Sequence, residues 1–429
     1  MTIKTCIFWQ ENVTLPSTAP ALPSGQVDVA VIGSGIAGMS AAYTLARQGA
    51  KVAVLEAQSL GWGASSRNGG MVLTGLRLGV DALLARYGRE RAQRMFTASL
   101  AAIDYMAHVV HKEQIACDFT RCGHLEVAYK PGHFQHFAHL AEVSAQVFNH
   151  RVQLVEKQAL AHEIGSTLYH GGLVDELSAG VNPARYVTGL AWAAQRAGAL
   201  LYDHTPVQQI QRDSTGFRLT TGRGEVRAQR VLVATGGYTG RVTPTIQRKV
   251  FAVGSYVIVT APLPPALAQE VSPTNRMMFD SKNFLYYFRL TPDHRLLFGG
   301  RAAFYPETPA RVRASADISR RALLEVFPQL YDVPIDYVWG GTIDIPFDYM
   351  PHTGQHDGLD YAIGFAGHGV AMSTYLGRLS AETMGGAVVD NPFADAEIGF
   401  PGAPLGLYNG WPWFLPFAEW WYRLQDWVR

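Results

Sequence analysis

The spacing of hydrophobic residues near the start of the chain predicts a strand, a helix and a second strand in succession. Residues 27–33 read VDVAVIG, a β-branched run that suits a strand buried on both faces. Residues 38–50 are rich in helix formers and stop near Gly49, and residues 51–56 form a second buried run that ends at Glu56. This order predicts a βαβ unit with a right-handed crossover.

The hydrophobic pattern in the middle of the chain differs from the pattern at its two ends. Helical spacing recurs over 81–115 and 182–199, whereas about 246–340 reads as strands, with a hairpin around TPDH. Residues 361–386 return to a strand, a glycine loop and a helix. We therefore expect an α/β fold, in which a second domain, built on a mixed or antiparallel sheet, interrupts a Rossmann-type domain. The predicted boundaries are 26–80, 176–245 and 345–390 for the Rossmann-type domain, 81–175 and 246–344 for the second domain, 1–25 for a leader strap and 391–429 for an aromatic tail.

Composition and charge narrow the classes of function. The 429 residues carry a formal net charge of +1, so nothing favours a nucleic-acid partner. The three cysteines, Cys6, Cys117 and Cys122, lack the spacing of a zinc site or a disulfide framework, so we expect no metal and a reducing compartment. No apolar run is long enough to span a membrane and no secretory signal is apparent, which predicts a cytoplasmic protein.

The segment VIGSGIAG places Gly33, Gly35 and Gly38 in a GxGxxG pattern between the first strand and the helix. These glycines permit a tight turn, approach of the backbone to a pyrophosphate and close packing of helix on strand. Glu56 ends the second strand, where an acid bonds ribose hydroxyls. Helix–strand packing alone would also explain the glycines, but the flanking strands and Glu56 favour a dinucleotide. A second such fingerprint is absent, which disfavours a separate NAD(P) domain.

Three further motifs extend this pattern: GASSRNGG at 63–70, ATGG at 234–237 and GFAGHGV at 364–370. Together with the fingerprint and Glu56, they resemble the D-amino-acid-oxidase-like superfamily of flavoenzymes, which includes glycine oxidase, sarcosine oxidase and D-amino acid dehydrogenases. Within it, the chain looks most similar to the gamma-glutamylputrescine oxidase branch, over nearly its whole length. The resemblance implies a glutathione-reductase-like FAD-binding domain, a substrate domain and an FAD-dependent enzyme.

By position, the resemblance also implies which residues contact FAD. A flat ring system must pack on backbone, and small hydroxyls with backbone N–H groups can bond phosphate and ribityl oxygens. For two of these positions an alternative role stays open: Val207 could simply be a core residue, and His368 could be a hydrogen-bonded structural histidine. The implied positions are Gly33, Gly35, Ile36, Ala37, Gly38, Glu56, Ala57, Gly63, Ala64, Ser65, Ser66, Arg67, Asn68, Gly69, Gly70, Val207, Thr235, Gly236, Gly367, His368, Gly369 and Val370.

The activity that the resemblance implies is oxidation of an amine. A hydride passes from the C–H next to the amine nitrogen to flavin N5, the imine hydrolyses to an aldehyde or ketone, and O2 or another acceptor reoxidises the flavin. Tyr287 matches a substrate-facing tyrosine of the sarcosine oxidase branch, and plain core packing is its alternative. Tyr287 and His368 are the candidate catalytic residues.

Four positions depart from the sarcosine oxidase pattern. Met71 and Ala371 stand where that branch keeps the Arg and Lys that bind the substrate carboxylate. Phe298 stands near its oxygen-activating lysine, and Ile343 stands near the cysteine that bonds flavin covalently. We therefore expect non-covalent FAD and a small-molecule amine substrate, such as an acylated polyamine, without an essential α-carboxylate.

Several alternatives stay open from the sequence. A D-amino acid or glycine-type deaminating enzyme could clamp a carboxylate with Arg289 or Arg301, and a non-catalytic relative would only bind. Lys249 and Lys282 either replace the oxygen-activating lysine or are solvated surface lysines, and the surface position is favoured. The aromatic tail, 412–429, either touches a membrane interface or packs on the body or a second subunit, and its few cations favour packing.

Overall fold

The computed structural model of the chain describes residues 3–300, 308–417 and 420–421. Two eight-stranded sheets and a two-stranded ribbon lie within these residues. The first sheet comprises β1 (Val27–Ile32), β2 (Val52–Leu55), β8 (Leu200–Tyr202), β9 (Val207–Asp213), β10 (Gly216–Thr221), β11 (Gly224–Val233), β17 (His352–His356) and β18 (Leu359–Ile363). The second comprises β4 (His124–Val127), β5 (Gln153–Glu156), β6 (Gly171–Asp175), β12 (Val250–Thr260), β13 (Met277–Asp280), β14 (Tyr286–Leu290), β15 (Leu296–Gly300) and β16 (Ile335–Pro346). The ribbon pairs β3 (Met71–Val72) with β7 (Ala179–Gly180).

The helices flank these sheets. They are α1 (Ile36–Arg47), α2 (Val80–Lys112), α3 (Pro131–Phe148), α4 (Pro183–Arg196), α5 (Pro244–Gln247), α6 (Pro265–Val271), α7 (Pro309–Val326), α8 (Gly369–Met384) and α9 (Asp395–Ile398). The predicted helix over 81–115 is present as α2, which breaks at Gly88, where φ is 72°. Its residues share one core with α1, α4 and α8.

The centre of the first sheet is the predicted βαβ unit. Strand β1 runs parallel to β2 and to β11, and β11 runs parallel to β18. The carboxyl ends of parallel strands meet at one sheet edge, so the loops after these four strands converge there. Helices α1 and α8 start from two of those loops and pack tightly, since a Cβ at Gly377 would lie 2.4 Å from the Ala37 carbonyl oxygen.

The second sheet runs in the order β16-β12-β15-β14-β13-β4-β6-β5, mostly antiparallel, with one parallel pair, β13 and β4. One face packs on α7 through a core that includes Phe288 and Phe298. The other face, with Val257 and Trp339, packs on Trp9 from the leader. This face meets the loops of the first sheet.

The strands predicted over about 246–340 are present, but two helices that the sequence did not predict, α6 and α7, lie between them. The buried stripe of helix α7 includes two serines, Ser315 and Ser319, among apolar residues such as Val312 and Leu323. Polar and small residues on the buried face reduce the hydrophobic signal of a helix in the sequence. The domain boundaries that we derived from the sequence stay a prediction.

The leader and the aromatic tail both lie against the body in part. Thr14 accepts a hydrogen bond from the Trp192 indole, and the backbone N–H of Ala19 donates to the Leu201 carbonyl. In the tail, Phe414 packs on Phe251 at 5.2 Å between ring centroids. The other described aromatic residues from 412 onward are half or more exposed: Trp413, Phe417, Trp420 and Trp421. Trp427 lies outside the described residues, and no described helix has the length and apolarity needed to cross a membrane.

Candidate active site

The fingerprint turn after β1 is shaped by glycines that no other residue could replace without movement of the backbone. Gly33 has φ +100°, and a Cβ there would lie 2.7 Å from the Ala234 carbonyl oxygen. A Cβ at Gly38 would lie 2.1 Å from the Gly33 carbonyl oxygen. The turn therefore stays tight against both the helix and the neighbouring strand β11.

The first turn of α1 carries backbone N–H donors that its own N-cap residue does not satisfy. That residue is Gly35, which has no side chain to cap the helix. The Ile36 N–H donates to the Ser65 hydroxyl at 2.9 Å, whereas Ala37 and Gly38 follow in the same turn. Uncapped N–H groups and the positive end of a helix dipole form an anion site. The hydroxyl of Ser65 brings the 63–70 loop to this helix end, as a pyrophosphate contact requires.

The Glu56 carboxylate ties the fingerprint turn to the chain that follows β2. It accepts hydrogen bonds from the Ser34 N–H at 2.9 Å, the Ser34 hydroxyl at 2.6 Å and the Gln58 N–H at 2.9 Å. The Ser34 hydroxyl in turn accepts from the Gly61 N–H. Ala57 follows in an exposed turn. The sequence prediction missed Ser34, although it occupies a variable position inside the fingerprint.

Val207 lies close to Glu56 through the intervening turn, in which the Thr205 N–H donates to the Glu56 carbonyl at 2.7 Å. It begins β9, which pairs only with β10 within the described sheet. The side chain packs on the core of the first sheet, and the backbone lies on an open strand edge. This position is compatible with both hypotheses for Val207, that it is a core residue and that its backbone contacts adenine.

The loop 63–70 is held in shape by its own side chains. Ser66 donates to the Gly61 carbonyl at 2.6 Å. The Asn68 amide donates to the Ala64 and Ser65 carbonyls and accepts from the Gly70 N–H at 2.8 Å. These side chains therefore fix the loop conformation through hydrogen bonds to the loop and to Gly61 before it.

Glycines at both ends of this loop press against other elements. Gly70 has φ +69°, and a Cβ there would lie 2.1 Å from the Val181 carbonyl oxygen. A Cβ at Gly63 would lie 3.0 Å from the Tyr238 ring. The loop is therefore clamped between the chain before α4 and the ATGG turn.

Three side chains from distant segments donate hydrogen bonds to carbonyl groups of this loop: Trp9, Trp339 and Arg289. The Trp339 indole donates to the Arg67 carbonyl and the Trp9 indole donates to the Asn68 carbonyl, each at 2.9 Å. The Arg67 guanidinium donates to the Trp62 carbonyl at 2.8 Å and lies 4.2 Å from the Trp62 ring centroid. The sequence analysis did not identify either tryptophan as part of the site.

Arg289 is the third anchor of the loop. It is 5% exposed and donates to the Gly70 and Val181 carbonyls, both at 3.0 Å. Burial lowers its pKa to about 10. Because its donors bind backbone, the structure argues against Arg289 as a clamp for a substrate carboxylate, and Arg301 lies outside the described residues.

Tyr287 of β14 contacts the loop directly. Its ring lies between Gly69 and Gly299, where added Cβ atoms would come within 2.8 and 2.2 Å of the ring. Burial raises the pKa of Tyr287 to about 12, so its hydroxyl stays protonated at neutral pH. Two glycines thus make room for one aromatic ring at the edge of the loop.

The ATGG turn and the GFAGHGV loop are joined by Asp344, which the sequence analysis did not single out. Its carboxylate accepts from the Gly364 N–H at 2.6 Å, and its carbonyl accepts from Ala366. A Cβ at Gly236, where φ is +51°, would lie 3.8 Å from that carboxylate. Thr235 and Thr239 hydrogen-bond through their hydroxyls at 2.7 Å. Burial raises the pKa of Asp344.

His368 is the N-cap residue of α8, and its side chain does not cap the helix. Its Nδ1 is buried and has no hydrogen-bond partner among the described residues. Burial lowers its pKa to about 3, with a smaller contribution from Arg77, so the imidazole is neutral. Gly367 precedes it at φ +88° with open space at its Cβ position, and Gly369 and Val370 begin the helix.

The four positions that depart from the sarcosine oxidase pattern carry apolar side chains. Met71 pairs with Gly180 in the short ribbon, and Ala371 is buried in α8. Phe298 stacks on Phe288 within the second core, and Ile343 is half-buried. None of the four can bind a carboxylate or form a thioether with flavin.

The two lysines considered from the sequence have partners within the protein. Lys282 pairs with Asp280 at 3.1 Å, and its side chain is 9% exposed under the Tyr286 ring. Lys249 donates to the Phe400 carbonyl. The expectation that both are solvated surface lysines is therefore wrong for Lys282, because a buried carboxylate and an aromatic ring hold it.

These features fit an FAD. A strip of backbone lies between glycines, the first turn of α1 is uncapped, and a buried imidazole nitrogen lacks a partner at the start of α8. The three loops that carry them end parallel strands of one sheet, where α/β folds bind ligands. Within the described ranges, no group of three His, Cys, Asp or Glu side chains is placed to hold a metal ion.

Comparisons with known proteins agree with this geometry. A family model described as "FAD dependent oxidoreductase" (DAO) matches residues 28–383. The chain is 34% identical to a probable oxidoreductase OrdL of Haemophilus influenzae, over 83% of this chain and 82% of that protein. It is 33% identical to gamma-glutamylputrescine oxidoreductase of Escherichia coli, over 88% and 87%. The crystal structure of glycine oxidase from Geobacillus kaustophilus superposes with a TM-score of 0.76 at 21% identity, over 89% of this chain and all of that chain, which supports the fold.

Proposed function

We propose, on the premise that the chain belongs to the FAD-dependent oxidoreductase family matched over residues 28–383, that it oxidises an amine. The C–H next to the amine nitrogen loses a hydride, and the imine hydrolyses to an aldehyde or ketone. The observation that carries the proposal is the contact of the Tyr287 ring with Gly69, at the edge of the loop backbone. It puts an aromatic wall where a substrate would meet a flavin. The similarity to gamma-glutamylputrescine oxidoreductase supports an amine as the substrate.

The proposed FAD contacts come from the residues described above. The uncapped turn of α1 and Ser65 would hold the pyrophosphate, Glu56 and the Val207 backbone the adenosine part, and the 63–70 backbone the ring system. No cysteine lies beyond Cys122 in the sequence, which supports non-covalent binding. When bound, FAD supplies the hydride acceptor.

The side chains around that position would control the amine. The Tyr287 face attracts a cationic amine, and the burial that raises the Tyr287 pKa would also favour the uncharged amine that can be oxidised. The neutral His368 imidazole adds no positive charge that would repel the substrate, and its Nδ1 can form a hydrogen bond. The N-terminus of α8 stabilises negative charge beside it.

A direct test is to purify the protein with FAD, remove oxygen and mix it with primary amines, secondary amines and amino acids. We expect amines to bleach the flavin absorbance band, and acid precipitation to leave the FAD in the supernatant. A protein that takes up no FAD would contradict both the proposed amine oxidation and the alternative oxidation of an amino acid. Repeating the reaction in air with an oxygen electrode then separates an oxidase from an enzyme that uses another acceptor.

A second candidate is oxidation of an amino acid, and Arg77 favours it. This arginine follows the ribbon strand β3 and forms no hydrogen bond or ion pair with the part of the chain that the structure describes. Its charge acts on His368, so it lies within electrostatic reach of the site. Bleaching by glycine or a D-amino acid, but not by amines, together with loss of that reaction in Arg77→Met, would favour this candidate.

A further inference from the structure

One row of residues crosses the face of the second sheet that meets the 63–70 loop. Its members are direct cross-strand neighbours from β16 to β4: Trp339, Val257, Gly299, Tyr287, Phe279 and Glu126. Trp339 bonds the loop at one end of the row, and Tyr287 touches the loop near its middle. Glu126 lies two strands beyond Tyr287, which is about 10 Å at the usual spacing between strands.

Glu126 points to the same face as Tyr287, because direct cross-strand neighbours share a face and side chains alternate along each strand. The residues before and after it, Leu125 and Val127, are fully buried on the opposite face, in the core that packs on α7. Phe279 lies between Glu126 and Tyr287 on the shared face and is only partly buried. The row thus places an aromatic surface between a tyrosine at the loop and a carboxylate.

The Glu126 carboxylate has no hydrogen bond or ion pair with any residue that the structure describes. Burial raises its pKa to about 7, Arg77 opposes that shift and Asp280 on β13 adds to it. A half-buried carboxylate without a partner costs stability, and such a group is usually retained to bind something. Arg77 is near enough to favour the ionised form and is itself unpaired in the described chain.

We propose that Glu126 binds a second nitrogen of the substrate, at the end remote from the carbon that is oxidised. This inference rests on the proposed function, because it places the reacting amine beside Tyr287. An ammonium or amide N–H donates to the carboxylate, and the methylene chain between the two nitrogens lies over Phe279. Glu126 is thus a specificity-determining residue that selects amines with a remote N–H group over simple alkylamines.

The test compares linear diamines with monoamines of the same length in wild-type holoenzyme and in Glu126→Gln. We expect kcat/KM for the diamines to fall about tenfold to a hundredfold, which is the range for loss of a hydrogen bond to a charged group. The monoamines should change less than about twofold. Glu156→Gln is the matched control, since this glutamate is exposed on β5 of the same sheet and should change neither class of substrate.

Binding without turnover gives an independent readout. Chemically reduced holoenzyme cannot oxidise an amine, so calorimetry then reports affinity for the diamine alone. We expect Glu126→Gln to lose affinity for diamines only, and Glu126→Asp to retain it with a preference for a longer diamine. Gln has the same shape and removes an unpaired charge, so the variant is expected to fold.

Four outcomes separate the possibilities. Equal loss for diamines and monoamines would show a structural role and overturn the assignment, as would unchanged diamine affinity in Glu126→Gln. A preference for amines with a remote carboxylate, abolished in Arg77→Met, would also overturn it. If no amine bleaches the flavin but diamine binding still depends on Glu126, the proposed function fails while the binding assignment stands.

Discussion

The candidate site has a proposed nucleotide end, around the fingerprint turn, and a proposed substrate end, around Tyr287 and Glu126. The two ends are held together by different kinds of contact. At the nucleotide end, backbone meets backbone over short sequence distances, as where Gly38 packs on the Gly33 carbonyl. At the substrate end, side chains from separate strands meet: Tyr287 and Glu126 share a row only because β14, β13 and β4 are neighbours in the sheet. The loop 63–70 lies between the two ends and is anchored by both.

This difference bears on what each end can tolerate. Backbone contacts leave no room for an added atom, so the nucleotide end should fail abruptly on substitution. Side-chain contacts can be trimmed without collapse of the fold, so the substrate end should change specificity or affinity in graded steps. Substitutions at each end test that contrast.

The largest effect is expected for Gly38→Ala. A Cβ 2.1 Å from a backbone oxygen cannot be accommodated by a side-chain movement, so the helix or the turn must shift. We expect a loss of about 3 kcal/mol or more in the free energy of unfolding, with little FAD retained, measured by denaturation and by flavin absorbance. The control is Gly132→Ala in α3, which has open space at its Cβ position and should be neutral or stabilising. Normal FAD content in Gly38→Ala would break the contrast between the two ends.

A smaller effect is expected for Arg289→Met, which tests how the loop is anchored. The change removes two buried donors to the Gly70 and Val181 carbonyls, at a cost of about 2–3 kcal/mol in the free energy of unfolding. FAD affinity should fall as well, because the loop is loosened. Arg185→Met removes an exposed guanidinium paired with Asp118 and should have almost no effect. Equal effects of the two variants would argue that the Arg289 contacts do not shape the site.

The acid sensitivity of the fold should depend on His368. Its folded pKa of about 3 lies below the ordinary value of 6.5, so the unfolded chain binds a proton that the folded chain does not. Stability therefore falls as the pH drops from 6.5 towards 3, by at most about 2 kcal/mol at pH 5. Denaturation curves at pH 5 and pH 8 should show a smaller difference in His368→Gln than in wild type. The control is His162→Gln, at an exposed position, which should keep the wild-type difference in stability between the two pH values. If His162→Gln reduced that difference as much as His368→Gln does, His368 would not be its cause.

The smallest effects are expected for Trp9→Phe and Trp339→Phe. Each change removes one indole hydrogen bond to the loop and keeps most of the aromatic packing, at a cost of about 1 kcal/mol in the free energy of unfolding. Both should weaken FAD binding, measured by titration of the apoprotein. Trp192→Phe loses an indole bond to Thr14 in the leader instead and should leave FAD affinity unchanged. A weaker FAD complex in Trp192→Phe as well would mean that leader packing in general is responsible.

The parts of the molecule that were predicted well are those whose structure depends on residues close together in the sequence. The βαβ unit, α2, α4 and the hairpin β14–β15 follow from local periodicity and turn residues. Helix α7 was missed because two serines lie within its buried stripe and reduce its hydrophobic signal. The FAD residues of the sequence analysis stay a prediction, although the structure brings their loops to one edge of the first sheet.

The residues missed in the site share a different property. Asp344, Trp9 and Trp339 act on loops elsewhere in the sequence, and nothing beside them in the chain marks their partners. Ser34 is the exception, since it lies within the fingerprint itself and bonds Glu56. A hydrogen bond across distant segments leaves no period or spacing in one sequence, so pattern analysis cannot find it.

By itself, the sequence determined the family, the cofactor class and the glycine turns, because these depend on which residue can adopt a given backbone conformation at one place. The tertiary structure alone decided which side chains share the face of the second sheet that meets the 63–70 loop. Cross-strand register brings Glu126 into one row with Tyr287, and burial sets the ionisation of Glu126 and His368. Register and burial arise only when distant segments pack together, which is why the sequence alone could not predict this row of residues.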